Sequence, residues 1–114
     1  MYNSIEIGGK TLELVANAAT PYRVKQVFHI DVLKTLFASQ DDNGLGASNI
    51  VPELTYIMNM QALKKDMSKL NLESFYAWCE DFGALELLNH AEEILSLYID
   101  NLEVDSKAKK KKEQ

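Results

Sequence analysis

Residues Ile5 to Leu14 constrain the fold more than any other stretch of this chain. Apolar and polar side chains alternate along Ile5-Glu6-Ile7 and Thr11-Leu12-Glu13-Leu14, on either side of Gly8-Gly9. Two glycines readily take the positive φ angles of a two-residue turn, so the segment reads as a β-hairpin over residues 4–15. In that register Ile5 faces Leu12, Ile7 and Leu14 share its side, and Glu6, Thr11 and Glu13 face water. A lone two-stranded hairpin is marginal in water, so its apolar face must cover something. The rest of the chain offers only helices for it to cover.

Thr20-Pro21 reads as a helix start, with Thr20 as the capping residue and Pro21 in the first turn. Val24, Val27 and Phe28 follow at helical spacing. At His29-Ile30-Asp31 the pattern shifts: either Asp31 caps a second short helix carrying Val32, Leu33, Leu36 and Phe37, or one helix is kinked there. Residues 39–48 form a polar, glycine-containing loop, the best candidate for mobility within the body. Ser48 or Asn49 then caps a helix with Pro52 in its first turn and Leu54, Ile57, Met58, Gln61 and Ala62 on its inner face. Asn71 caps a further helix through Phe75, Trp78, Cys79 and Phe82, with Gly83 placed to end it. A final helix is expected from Ala84 to about Leu102, with Leu85, Leu88, Ala91, Leu95 and Leu102 along one stripe that Leu87, Ile94, Leu97 and Tyr98 widen.

The predicted fold is therefore mainly α: a short N-terminal β-hairpin packed on a small bundle of about four to five helices. With 114 residues the chain fits one domain, expected over residues 1–104, with a flexible Lys-rich tail over 105–114. No apolar run approaches the ~20 residues needed to span a bilayer. The start of the chain lacks the pattern of a signal peptide, and the single cysteine, Cys79, cannot form an internal disulfide. These features point to a cytoplasmic, soluble protein rather than a membrane protein, a zinc finger or a disulfide-stapled secreted one.

Charge narrows the partners. The net charge is −5, but five of the twelve basic residues lie in the tail; residues 1–104 hold 7 basic and 15 acidic residues, a balance of −8. Such a body repels phosphate, so a protein partner is expected and nucleic acid is not. Catalytic residues, metal ligands and cofactor sites are not expected. Cys79 has Glu80 beside it, which disfavours a thiolate, and His29 and His90 have no partners at metal-ligand spacing. The adjacent pairs Asp41-Asp42, Glu80-Asp81 and Glu92-Glu93 read as solvated surface, since neighbours in a helix point to different faces and do not form a shared acid–base site. Phe75, Tyr76, Trp78 and Phe82 form an aromatic cluster that fits core filling and fits an interface anchor as well.

The order of these pieces resembles the small tail assembly chaperones of long-tailed, siphovirus-type bacteriophages, especially those of Gram-positive hosts. The resemblance covers most of residues 3–112. It rests on the hairpin Ile5-Glu6-Ile7-Gly8-Gly9-Lys10, the helix start Thr20-Pro21-Tyr22-Arg23 and the joint Phe28-His29-Ile30-Asp31. The aromatic segment Ser74 to Phe82 and the last helix, with its Asn101-Leu102 end and lysine tail, complete it. The family often has glycine at the helix joint, where this chain has His29. The resemblance implies a non-enzymatic protein, free of cofactors, that works in the host cytoplasm and is absent from the mature virion. Its implied partners are the tape measure protein, the tail tube protein, a longer frameshifted form of itself, and further copies of the chain. Lys109, Lys110, Lys111 and Lys112 mark where a ribosome would slip. Trp78, Phe82, Leu85, Leu88 and Tyr98 are the candidate groove for a tape measure helix. The competing expectations are a head–tail joining or tail-terminating protein that stays in the virion, and a helical adaptor unrelated to phage.

Overall fold

The computed structural model describes residues 2–38 and 45–100. Strands β1 (Tyr2–Ile7) and β2 (Lys10–Val15) pair antiparallel with Ile5 opposite Leu12. Gly8 (φ 59°) and Gly9 (φ 80°) make the turn between them. Ile5, Ile7, Leu12 and Leu14 are buried and Glu6 and Thr11 exposed, as the alternation requires, whereas Glu13, expected in water, is half-buried.

Helix α1 (Thr20–Phe28) carries Pro21 in its first turn, but Thr20 is not its cap. The cap position is Ala19, and Thr20 lies inside the helix, fully buried. Its hydroxyl instead closes the preceding turn, accepting from the Asn17 N–H at 3.0 Å, and also accepts from Gln61 at 2.9 Å. His29 adopts the left-handed conformation (φ 61°) and ends α1. Asp31 Oδ1 accepts the Lys34 N–H at 3.0 Å and opens α2 (Val32–Ala38), so the joint holds two helices.

A 3-10 helix (Leu45–Ile50) runs straight into α3 (Val51–Ala62), so residues 45–48 of the expected loop are ordered as helix; residues 39–44 lie outside the described residues. Neither Ser48 nor Asn49 caps α3: Ile50 occupies that position, with no side-chain bond, because the 3-10 turn already leads the backbone in. Every residue from Leu54 to Gln61 is buried, not only the expected face. Helix α3 is the centre of the molecule, packed against β2, α1 and the helical segments at residues 72–79 and 86–89.

After α3, Asp66 Oδ1 accepts from the Ser68 N–H and hydroxyl (3.1 and 2.6 Å), which starts a single 3-10 turn (Met67–Lys69). These bonds hold the Asp66 carboxyl below its usual range. Asn71 and Ser74 then form a reciprocal capping box for α4 (Leu72–Cys79). Helix α4 stops at Cys79, before Gly83, whose N–H is taken by the Glu86 carboxylate at 2.6 Å. The expected continuous last helix is broken into α5 (Glu86–Asn89) and α6 (residues 91–100), because the His90 N–H bonds back only three residues, to Leu87, at 3.2 Å. Leu87, Ala91, Ile94, Leu95 and Tyr98 are buried as a result, whereas Leu85 and Leu88 stand on the surface.

The protein is thus mainly α, six α-helical segments among the described residues, with the hairpin closing one side of a shared core. The end of the expected last helix and the tail over 105–114 lie outside the described residues. Among those described, no helix is long and apolar enough to cross a membrane.

Candidate partner-binding cleft

The capping box fixes where α4 begins and hence which side chains it turns inward. Phe75 packs edge-on against Phe28 (4.8 Å between ring centroids) and Tyr56 (5.4 Å). One turn on, Trp78 packs against Tyr56 (5.3 Å) and Phe82 (4.8 Å). Polar contacts hold these rings in place: the Tyr56 hydroxyl hydrogen-bonds Ser74 Oγ at 2.8 Å, and the Trp78 indole donates to Asn59 Oδ1 at 3.0 Å. The cluster foreseen around α4 therefore extends to Phe28 and Tyr56 from two other helices.

The end of α3, the 3-10 turn and α4 together line an open cleft of about 430 Å³. Tyr56, Met60, Leu70 and Trp78 form its apolar lining, and Lys65, Asp66, Lys69 and Ser74 its polar one. Tyr56 and Met60 are buried at its base, while Lys65, Asp66 and Lys69 are exposed. Leu63 and Leu72, at the adjoining ends of α3 and α4, are exposed apolar residues as well.

The five expected groove residues part company here. Trp78 lines the cleft. Phe82 touches Trp78 on its far side, covered by Lys10, whose Nζ lies 5.9 Å from the ring centroid and donates to the Asp81 carbonyl at 3.4 Å. Leu85 and Leu88 are 61% and 41% exposed but do not line the cleft. Tyr98, 1% exposed, belongs to the core and presents no surface. Lys109 to Lys112 lie outside the described residues.

No family model, curated protein or solved structure matches the chain.

Burial, reinforced by the Glu53 carboxylate, pushes the Cys79 thiol up, away from the thiolate. His90 Nδ1 sits 3.1 Å from Glu93 Oε2 in a surface pair. Among the described residues no group of three or more His, Cys, Asp or Glu side chains is placed to hold a metal ion. The cleft can hold an apolar group against rigid aromatic walls while two ammonium groups stand at its edge. Met60, Lys65 and Lys69 are not foreseen from the sequence: Met60, one turn beyond Tyr56, lies off the apolar stripe of α3, and the only signal for the lysines is their grouping in an otherwise acidic body.

Proposed function

We propose that the chain is a tail assembly chaperone of a long-tailed bacteriophage, binding the tape measure protein and keeping it soluble while tail tube subunits are brought to it. The observation that carries this reading is the open apolar cleft beside Trp78 on a small, acidic body. A long helical protein with uncovered apolar stripes aggregates, and a cleft between helices takes such a stripe helix-in-groove. The body's negative charge keeps the complex soluble by repelling other complexes. The order of sequence elements, from the Gly8-Gly9 hairpin to the lysine tail, adds support. Work in the host cytoplasm, absence from the finished virion, and a longer product made by a frameshift near Lys109 to Lys112 belong to the same proposal.

Co-expression with the neighbouring tape measure protein tests it. The expected result is a soluble complex recovered by pull-down, with the tape measure protein insoluble when expressed alone. No complex and no gain in solubility would sink the reading. Recovery of the chain from purified virions would favour a joining or terminating component instead.

A further inference from the structure

Three of the seven basic residues of the body, Lys64, Lys65 and Lys69, fall within six consecutive positions. The turn that carries them is held in shape by its own bonds. Lys64 takes a left-handed backbone (φ 55°), and Asp66 is engaged by Ser68. Lys65 and Lys69 line the cleft, both are exposed, and no ion pair among the described residues engages either one. Asp66, the one carboxylate among the residues that line the cleft, keeps its charge while it accepts from Ser68, so the edge carries two positive charges against one negative. An apolar base edged by two uncommitted cations is an unusual surface on a body with 15 acidic residues.

We propose that this cleft docks a peptide segment in which a bulky apolar side chain is flanked by carboxylates. The apolar group packs against Tyr56, Met60, Leu70 and Trp78, and the carboxylates pair with Lys65 and Lys69. The proposal deepens the chaperone reading by giving the partner's chemistry, and rests on it only for the partner's identity. Charge complementarity selects this occupant. A nucleic acid has no bulky aliphatic group for the apolar base, so the two lysines alone would have to hold it against the acidic body. A basic segment would be repelled at the edge, and a neutral one would gain nothing from the two lysines. A space of about 430 Å³ is at the small end for ligand pockets and suits one or two large side chains. The apolar contact supplies most of the affinity, while the edge charges supply selection at close range.

Trp78 is the only tryptophan, so its fluorescence reports on the cleft without a label. The test titrates the full chain with two synthetic helical peptides that share one leucine–phenylalanine core, flanked by glutamates in one and by lysines in the other. Wild type and the double variant Lys65→Glu/Lys69→Glu are compared; both positions are exposed, and a thermal melt checks that the variant folds. The expected result is saturable, salt-sensitive binding of the glutamate peptide, weakened at least about tenfold in the variant, with the lysine peptide binding the variant in preference. Equal binding of the two peptides, binding of neither, or an unchanged variant would overturn the proposal. So would a concentration-dependent signal from the chain alone that the variant abolishes, since a second copy would then fill the cleft. If the peptides behave as expected while co-expressed tape measure protein stays insoluble, the docking chemistry stands and the chaperone reading falls. If the variant still solubilises tape measure protein, chaperoning uses another surface and the cleft assignment falls.

Discussion

Trp78 and Asn59 are joined by a hydrogen bond of 3.0 Å from the indole Nε1 to the amide oxygen, at the point where α4 crosses α3. The nitrogen of the same amide donates to the Glu13 carbonyl of β2 at 2.8 Å. Two residues on, Gln61 donates to the Val15 carbonyl at 2.7 Å and accepts from Arg23 at 3.1 Å. Strand β2 has one neighbouring strand, so the carbonyls along its other edge need donors, and buried amides of α3 supply them. The hairpin, α1, α3 and α4 are thereby tied through two side chains.

Asn59→Leu keeps the branching and the number of heavy atoms and strands both partners, the Glu13 carbonyl and the Trp78 N–H. The expected loss is about 2–4 kcal/mol, since each buried group left unpaired costs roughly 1–3 kcal/mol. Urea unfolding followed through Trp78 measures it. A loss under about 0.5 kcal/mol would mean that the tie contributes little.

Tyr98 makes a contrasting case. Its hydroxyl is buried without a hydrogen-bond partner among the described residues, and burial pushes the phenol from 10.0 up to about 12. The folded chain therefore holds this proton more tightly than the unfolded chain. The associated stability is complete below about pH 10 and lost as pH rises through about 12, up to roughly 2–3 kcal/mol in all. Tyr98→Phe should match or exceed wild type at neutral pH, by up to about 1 kcal/mol, and lose less stability between these two pH values. Melts at neutral and alkaline pH decide it; a clear loss at neutral pH would show that the hydroxyl has a partner.

The two turn glycines are separable. A Cβ on Gly9 meets nothing, so Gly9→Ala carries only the left-handed penalty, about 1–2 kcal/mol. A Cβ on Gly8 collides with the Glu86 carboxylate, which would have to release the Gly83 N–H. Gly8→Ala is expected to cost about 1 kcal/mol more than Gly9→Ala, and that excess should vanish in a Glu86→Ala background. Equal costs for the two alanines would remove Glu86 from the account.

His29 carries a side chain at a left-handed position (φ 61°) and is exposed. His29→Gly should raise stability by up to about 1 kcal/mol, which is about 4–8 °C in Tm for a domain near this size. A fall in Tm would mean that the imidazole makes a contact worth more than the backbone penalty.

The candidate site was less legible than the fold. Trp78 and the aromatic character of α4 could be read from spacing, because one helix places Phe75 and Trp78 on one face. Leu85, Leu88 and Tyr98 were grouped by assuming one unbroken helix, and the break at His90 turns them in different directions. The cleft itself lies between segments that spacing along one element cannot relate.

What the sequence determined by itself was local. The alternation around Gly8-Gly9 sets the hairpin register, and Asn71, Asp31 and Pro21 mark helix starts, because each acts on backbone within a few residues of itself. The tertiary structure decided what depends on distant groups. Thr55, Tyr56 and Asn59 fall off the apolar stripe of α3, yet all are buried, because α3 is enclosed by the hairpin, α1 and α4 together. A period of 3.6 residues gives one inner face; it cannot say that a helix has none outside. Nor can it show that an asparagine is held inside by a strand carbonyl 46 residues away.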